Sequence, residues 1–275
     1  NFDKRINLDA TIEYFTFQNI LTDQTLLQDV TLLPPGHWLV LDTKTGKKTC
    51  EQYWDYRFEE PGKRRNHVEY LEELDRLFNQ AVRRQLIADV ELGTYLSGGI
   101  DSGAIATLAT KEISAMKSFT VGFDVSSASG LELAFDERAN AKAMSSKIHT
   151  EHYEMVLKAG DMESCLPDLA WHVEEPRVGQ SYPNYYAAKL ASKFVKVVMS
   201  GAGGDELFGG YPWRYYHSMA SKNFDSFVDS YYSYWQRLVE DSLYEKIFSP
   251  ITSNYKNISC RKIFADVFTT QDKFS

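Results

Sequence analysis

Tyr95-Leu96-Ser97-Gly98-Gly99-Ile100-Asp101-Ser102 is the stretch that decides the fold. A short apolar run, Gly93–Leu96, leads into it, and a helical segment, Ser102–Ile113, follows. Strand, glycine turn and helix start together describe a loop built to hold an anion. Ser97, Gly98 and Gly99 can turn backbone N–H groups inward, and the helix adds its unpaired N–H groups and positive dipole end. The loop carries Asp101 and no lysine, so it is not a Walker A loop, which ends in Gly-Lys-Ser/Thr. An acid beside a phosphate site makes sense if Mg²⁺ lies between them.

A second stretch repeats the pattern. The apolar run Val195–Met199 reads as a buried strand and leads into Ser200-Gly201-Ala202-Gly203-Gly204-Asp205-Glu206-Leu207-Phe208-Gly209-Gly210-Tyr211. Again a strand ends in a Ser-Gly turn followed by an acid. Two such loops can face each other across the carboxyl edge of one parallel sheet, where ligands bind in open α/β folds. Asp101 and Asp205 would then offer oxygen ligands to one cation. A tight capped turn at Ser97–Ser102, and a first-turn acid complementing a helix dipole at Asp205, are the plainer alternatives. The match between the loops weighs against both.

Outward from these loops the centre alternates. Strand Gly93–Leu96 precedes helix Ser102–Ile113, strand Ser118–Phe123 precedes helix Phe135–Ile148, and strand Glu151–Val156 precedes helix Asp161–Val173. Helix Pro183–Ser192 then precedes strand Val195–Met199. The alternation predicts an α/β fold: an open parallel sheet with helices on both faces. An amphipathic helix comes before it, with Val68, Leu71, Leu74, Phe78, Val82 and Leu86 on one stripe and Asn66 as N-cap. The small, polar stretch 125–130 reads as a mobile loop near the site. After Tyr211 the chain reads as helical, and its many aromatics as helix core. A base-stacking surface would need interleaved positive charge.

Residues 1–56 read as a separate module. Leu8–Ile20 has helical spacing, and His37–Leu41 and Thr49–Trp54 read as two strands of a hairpin after the turn Pro34-Pro35-Gly36. The polar run 57–65 reads as a linker. That leaves 66–275 as the second domain.

The pair Ser-Gly-Gly-Ile-Asp-Ser and Ser-Gly-Ala-Gly-Gly-Asp-Glu-Leu-Phe-Gly-Gly-Tyr resembles the synthetase domain of glutamine-dependent asparagine synthetases, which are PP-loop ATP pyrophosphatases. Ser118-Phe119-Thr120-Val121-Gly122-Phe123 resembles that family's second strand. The resemblance implies ATP and Mg²⁺ as cofactors. It implies adenylation of a carboxylate, aspartate first among candidates, followed by attack of ammonia. Tyr95, Leu96, Val121 and Gly122 would lie at adenosine, and Ser97, Gly98, Gly99 and Ser102 at pyrophosphate. Ser200 and Gly201 would line the nucleotide and acyl-adenylate pocket. Asp101 and Asp205 would hold the metal and act in catalysis. In a full-length protein, ammonia would come from solution or from glutamine, and a homodimer is left open.

Other residues keep two readings each. Asp136 and Glu137 resemble an acidic pair near the family's nucleotide site, but helix capping explains them equally. Glu206 is either a neighbour of the site or a first-turn acid. Arg177, in the polar loop after Glu174-Glu175-Pro176, could pair with an anion, although a surface arginine is the plainer reading. His149 and His152 read as structural.

Departures from the family bear on function. Ala202 stands where asparagine synthetases usually carry Glu or Asp, which leaves the acceptor acid open. Another amide, formed in the manner of β-lactam synthetase, is one alternative, and a nucleotide-binding regulatory domain without chemistry is another. Pro-Pro-Gly-His resembles the end of the family's glutaminase domain, but the chain begins with Asn1 where that domain has a nucleophilic cysteine. The family's lysine in a Lys-Tyr-Leu-Leu-Arg setting has no match, since Lys246, Lys256, Lys262 and Lys273 stand in other contexts. The expectation is a fragment that does not complete amide synthesis alone.

Composition bounds the rest. The chain has 275 residues, 43% of them hydrophobic, and a net charge of −8. It has no long basic run, which argues against nucleic-acid binding. No window approaches the apolar length needed to span a bilayer, and the N-terminus has no secretory pattern. Cys50, Cys165 and Cys260 form neither a disulfide framework nor a zinc pattern, which points to a reducing cytoplasm.

Overall fold

A computed structural model describes residues 4–57, 62, 66–127, 136–174 and 181–269. The linker residues 58–61 and 63–65, the loop residues 128–130, Phe135, the Arg177 loop and Lys273 lie outside the described residues. Two compact units form. One is Gly62–Tyr211, and the other joins Asn1–Pro61 to Pro212–Ser275.

The first unit is the expected α/β layer. Its strands are β3 (Leu92–Tyr95), β4 (Lys117–Phe123), β5 (Glu151–Leu157) and β6 (Val197–Met199). They pair in the order β5-β4-β3-β6, all parallel. Around them lie α2 (His67–Gln85), α3 (Ile100–Glu112), α4 (Arg138–Ile148), α5 (Asp161–Val173), α6 (Ser181–Ala191) and the short α7 (Gly204–Phe208). The chain begins the sheet at β3, adds β4 and β5 on one side, then returns to the other side of β3 for β6. That reversal opens a crevice beyond the carboxyl ends of β3 and β6, the position where open α/β sheets bind ligands.

Side chains alternate across the sheet with period two. On one face Leu92 and Met116 pack with Ala109 of α3 and Val82 of α2, while Leu96 packs with Ala106 and Ala141. Of the stripe expected on α2, Phe78, Val82 and Leu86 join this core. Asn66 caps α2 as expected, accepting from the Glu69 N–H. On the other face Phe119 packs with Leu190, Ala191 and Val195 beside α6. A Cβ at Gly93 would sit 2.7 Å from the Phe119 ring, so glycine makes room for it. Phe119 is 1% exposed, and truncation to alanine should cost about 3–5 kcal/mol.

The second unit holds α1 (Leu8–Phe17) and a hairpin of β1 (His37–Leu41) and β2 (Lys48–Gln52), with His37 opposite Gln52. After residue 211 come α8 (Pro212–Tyr215), α9 (Phe224–Trp235), α10 (Tyr244–Phe248) and α11 (Cys260–Thr269), with no strand among the described residues. Asn7 caps α1 by accepting from the Asp9 and Ala10 N–H groups. Gly36, at φ +65°, closes the turn before the hairpin, and its carbonyl accepts from the Tyr53 and Trp54 N–H groups.

The expected division of the chain is crossed here. Residues 1–56 do not form a core of their own. Ile12 and Phe17 of α1 join Val228, Tyr232, Tyr244, Phe248 and Phe264 in one buried cluster. The physical reason is that one apolar helix face cannot bury itself, and a two-stranded hairpin offers little cover. The aromatic stretch after Tyr211 supplies that cover.

Candidate functional site

The loop after β3 is closed by its own hydroxyls. Ser102 Oγ accepts from the Ser97 N–H at 3.1 Å and lies 2.8 Å from Ser97 Oγ. Ser97 Oγ in turn accepts from the Gly99 N–H at 3.1 Å. The N–H groups of Ser97 and Gly99, expected to face an anion, are thus used inside the loop. The donors that remain are the Gly98 N–H and those of the helix itself. α3 starts at Ile100 with Gly99 as N-cap, two residues earlier than the spacing suggests. Its first-turn N–H groups at Ile100, Asp101 and Ser102 have no intrahelical partner, and the positive end of the dipole lies with them. Gly98 has φ +88°, and a Cβ there would meet Asn140 at 2.4 Å. Only glycine makes that bend against α4 without strain.

The loop after β6 docks onto this helix start. A Cβ at Gly201 would lie 2.7 Å from the Ser102 nitrogen, and one at Gly204 would lie 2.5 Å from the Asp101 carboxylate carbon. Absent side chains at both positions let the two loops touch. Asp205 opens α7 and turns its carboxylate toward Gly210, whose Cβ, if present, would fall 1.9 Å from Oδ1. The Tyr211 hydroxyl donates to Glu206 Oε1 at 3.2 Å and also hydrogen-bonds Asp205. Desolvation, then these carboxylates, pushes the Tyr211 phenol up to about 12.

A third corner comes from β4 and α4. Arg138 donates from Nη2 to Asp136 Oδ2 at 2.6 Å and from Nε to Asp136 Oδ1 at 2.9 Å. Its Nη2 also donates to the Phe123 carbonyl at 2.8 Å. The clamp holds the Asp136 carboxyl below its usual range, chiefly through the hydrogen bonds from Arg138. A Cβ at Gly122 would strike Arg138 Nε at 2.4 Å and Asp136 Oδ1 at 2.5 Å. Glu137 is the N-cap residue of α4 but makes no side-chain capping bond.

These corners enclose one cavity of about 1320 Å³. Of the residues singled out in the sequence, Tyr95, Leu96, Ser97, Gly99, Asp101, Ser102, Val121, Ser200, Gly201 and Asp205 line it. Gly98 and Gly122 do not. Both serve from behind, by giving α4 room. Ala202, Glu137 and Glu206 line it as well. Sequence reasoning missed Tyr182 and Asn184 at the start of α6 and the wall role of Tyr211. Tyr211 closes the Gly-Gly-Tyr end of the second loop, which was a usable signal. Tyr182 and Asn184 carried none.

The charge of the walls is one-sided. Asp101, Glu137, Asp205 and Glu206 line the cavity, with no Lys, Arg or His among the described lining residues. Among the described residues no group of three or more His, Cys, Asp or Glu is placed to hold a metal by itself. His149 ends α4 in the left-handed region and His152 Nδ1 lies 2.9 Å from Ser118 Oγ. Burial lowers the His152 pKa, and neither histidine lines the cavity.

An open parallel sheet with two glycine loops meeting at its switch point, each loop bearing an acid, defines an open α/β domain whose cavity lies where such sheets receive ligands. The model of the asparagine synthase family matches residues 73–267, and the chain belongs to that family. A Bacillus subtilis protein, asparagine synthetase [glutamine-hydrolyzing] 1, is 31% identical over 210 residues, covering 76% of this chain and 32% of the relative. A Mycobacterium bovis relative, described provisionally as a glutamine-hydrolysing asparagine synthetase, is 32% identical over 212 residues, covering 76% and 31%. The chain therefore spans about a third of the length of these relatives. Among solved structures, NMN synthetase from Francisella tularensis aligns over 76% of this chain and 87% of its own, at 15% identity and a TM-score of 0.33.

Proposed function

We propose that this chain binds Mg-ATP between its two Ser-Gly loops and serves ATP-dependent amide formation. In this reading a carboxylate attacks the α-phosphorus, pyrophosphate leaves, and ammonia then displaces AMP from the acyl-adenylate. The observation that carries it is the contact of the two loops at Gly201 and Gly204, which brings Asp101 and Asp205 to one cavity.

The wall charge supports a metal. A triphosphate entering among four carboxylates, with no Lys, Arg or His among the described lining residues, is repelled unless a cation accompanies it. Asp101 and Asp205 are the residues that would hold Mg²⁺. When bound, the ion would neutralise charge on the departing pyrophosphate. The chain's own part is positional. First-turn N–H groups of α3 would orient the phosphates, and the apolar wall at Val121 and Phe123 would take the base.

Aspartate is the first candidate for the acceptor, by relationship to the relatives. Ala202 keeps a second acceptor in view. It lines the cavity and is exposed, so no acid at this position can orient ammonia or take its proton. Residues 1–56 are read as the end of a glutaminase domain, with glutamine as the ammonia source in a complete protein. A cytoplasmic setting accords with Cys50, Cys165 and Cys260 all being free thiols. No helix among the described residues is long and apolar enough to cross a membrane.

The test is ATP–pyrophosphate exchange with a panel of acids. Exchange that depends on aspartate supports the first reading. Exchange with a different acid supports the β-lactam-synthetase-like alternative. Mg-ATP binding without exchange for any acid would leave a regulatory nucleotide-binding domain and overturn the enzymatic reading.

A further inference from the structure

We infer that Thr120 is a positioning residue for nucleotide binding: its hydroxyl holds the Leu96 carbonyl and so sets where β3 ends and the loop after it begins. The nucleotide part of this rests on the Mg-ATP reading above.

The β3–β4 ladder is interrupted at this point. Gly93, Thr94 and Tyr95 pair with Lys117, Ser118 and Phe119, and the Leu96 N–H still donates to the Phe119 carbonyl at 3.0 Å. A parallel ladder in this register would next bring the Val121 N–H to the Leu96 carbonyl. That bond is not made, and the pairing of β3 with β4 stops at Tyr95. β4 itself does not stop there, since it pairs with β5 as far as Phe123. In place of the Val121 N–H, the Thr120 hydroxyl donates to the Leu96 carbonyl. A side chain thus substitutes for the backbone at the last rung, immediately before Ser97.

The chemistry of that substitution decides the path of the loop. Leu96 is 1% exposed and packs against Ala106 and Ala141, so its carbonyl is out of reach of bulk water and needs a donor. The Val121 N–H would satisfy it by continuing the strand. The buried Thr120 hydroxyl satisfies it while letting the backbone leave the sheet. Ser97 then turns toward α3, and its N–H reaches Ser102 Oγ at 3.1 Å. Valine has nearly the shape of threonine but no hydroxyl. In Thr120→Val the Leu96 carbonyl is either left unpaired or takes the Val121 N–H and lengthens β3. Both outcomes shift Ser97 against the first turn of α3, at the wall of the cavity that Thr120 and Ser97 share.

Thr120→Val and Thr120→Ser in the 275-residue chain test this. Without nucleotide, amide exchange at Ser97 and Gly99 should quicken about ten-fold in Thr120→Val, while Leu92–Thr94 of the same strand keep the wild-type rate. Mg-ATP affinity by calorimetry should fall about ten-fold in the same variant. Thr120→Ser keeps the hydroxyl and should stay within about two-fold of wild type in both measurements. Unchanged exchange at Ser97 and Gly99 in Thr120→Val overturns the inference. So does quickening along the whole of β3, which marks lost stability rather than lost position, and so does local quickening with unchanged Mg-ATP affinity. Should Thr120→Val not fold, Thr120→Ala carries the same expectations, and a Thr120→Ser variant as defective as alanine overturns the inference. Local quickening in a chain whose wild type binds no Mg-ATP overturns the Mg-ATP reading and supports the hold of Thr120 on the loop.

Discussion

The two Ser-Gly loops look alike in sequence and are held in opposite ways. The loop after β3 is tied by short hydroxyl bonds among Ser97, Gly99 and Ser102, and its acid, Asp101, has no side-chain hydrogen bond or ion pair with another described residue, only the close approach of Gly204. The loop after β6 is braced more loosely where it leaves the strand, by the Ala202 N–H to Ser200 Oγ at 3.3 Å and the Gly204 N–H to the Gly201 carbonyl at 3.4 Å. Its acids are braced by Tyr211, at its own far end. One loop is rigid with a free carboxylate, and the other is pliant with tethered ones. The first is suited to fixing phosphates, and the second to adjusting around what the first has fixed.

That contrast can be broken at four places, taken from the largest expected effect to the smallest. Asp101→Asn removes the charge on the rigid side. We expect Mg-ATP affinity to fall at least about a hundred-fold, about 2.7 kcal/mol, by calorimetry. Unchanged binding would dissociate Asp101 from the metal. Ser102→Ala removes the acceptor of the Ser97 N–H and the partner of the Ser97 hydroxyl. Loss of these bonds should cost about 1–2 kcal/mol in denaturant unfolding, with nucleotide binding weakened alongside. Stability equal to wild type would mean that the loop is not held by its hydroxyls.

Tyr211→Phe releases the tether on the pliant side. The expected loss in Mg-ATP affinity is about three- to ten-fold, with unfolding little changed. The phenol also gives a pH signature. Its folded pKa, about 12, lies above the ordinary tyrosine value of 10.0, so folding favours the protonated form. The stabilisation is whole below pH 10.0 and is lost as pH rises through about 12. In an ultraviolet titration, Tyr211→Phe should delete one late-ionising phenol. A deletion among the early ones would place Tyr211 in open solvent. Ala202→Glu should change ATP affinity by less than about two-fold, because the position is exposed on the cavity wall and no neighbour need move. A large loss would put residue 202 against the nucleotide.

Much of this arrangement is legible along the chain because it is local. β3, β4, β5 and their helices announce themselves by alternation, and the reversal at β6 follows from a second Ser-Gly loop after a second apolar run. What stayed hidden depends on distant partners. Nothing in Ser97-Gly98-Gly99 says that the hydroxyls will take the N–H groups before a ligand can. That choice is made by the rotamers of Ser97 and Ser102 once α3 has formed. Gly122 reads as part of a nucleotide wall, yet its bareness serves Arg138, a residue on another element. The core that unites Ile12 with Tyr244 and Phe264 joins opposite ends of the chain, and no periodicity within α1 names the helices that cover it.

The strand order also sets when the cavity comes into being. β3 meets β4 through one helix, but it meets β6 only after β4, β5 and three further helices among the described residues have been made. β6 is a three-residue edge strand, with Val197 exposed. Closing so long a loop onto so short an edge is slow to form and inexpensive to undo. A chain emerging from the ribosome would display the helix start of α3 long before the facing loop arrives. In the finished molecule, amide exchange should begin at Val197–Met199, and a nucleotide bridging both loops would slow it there first.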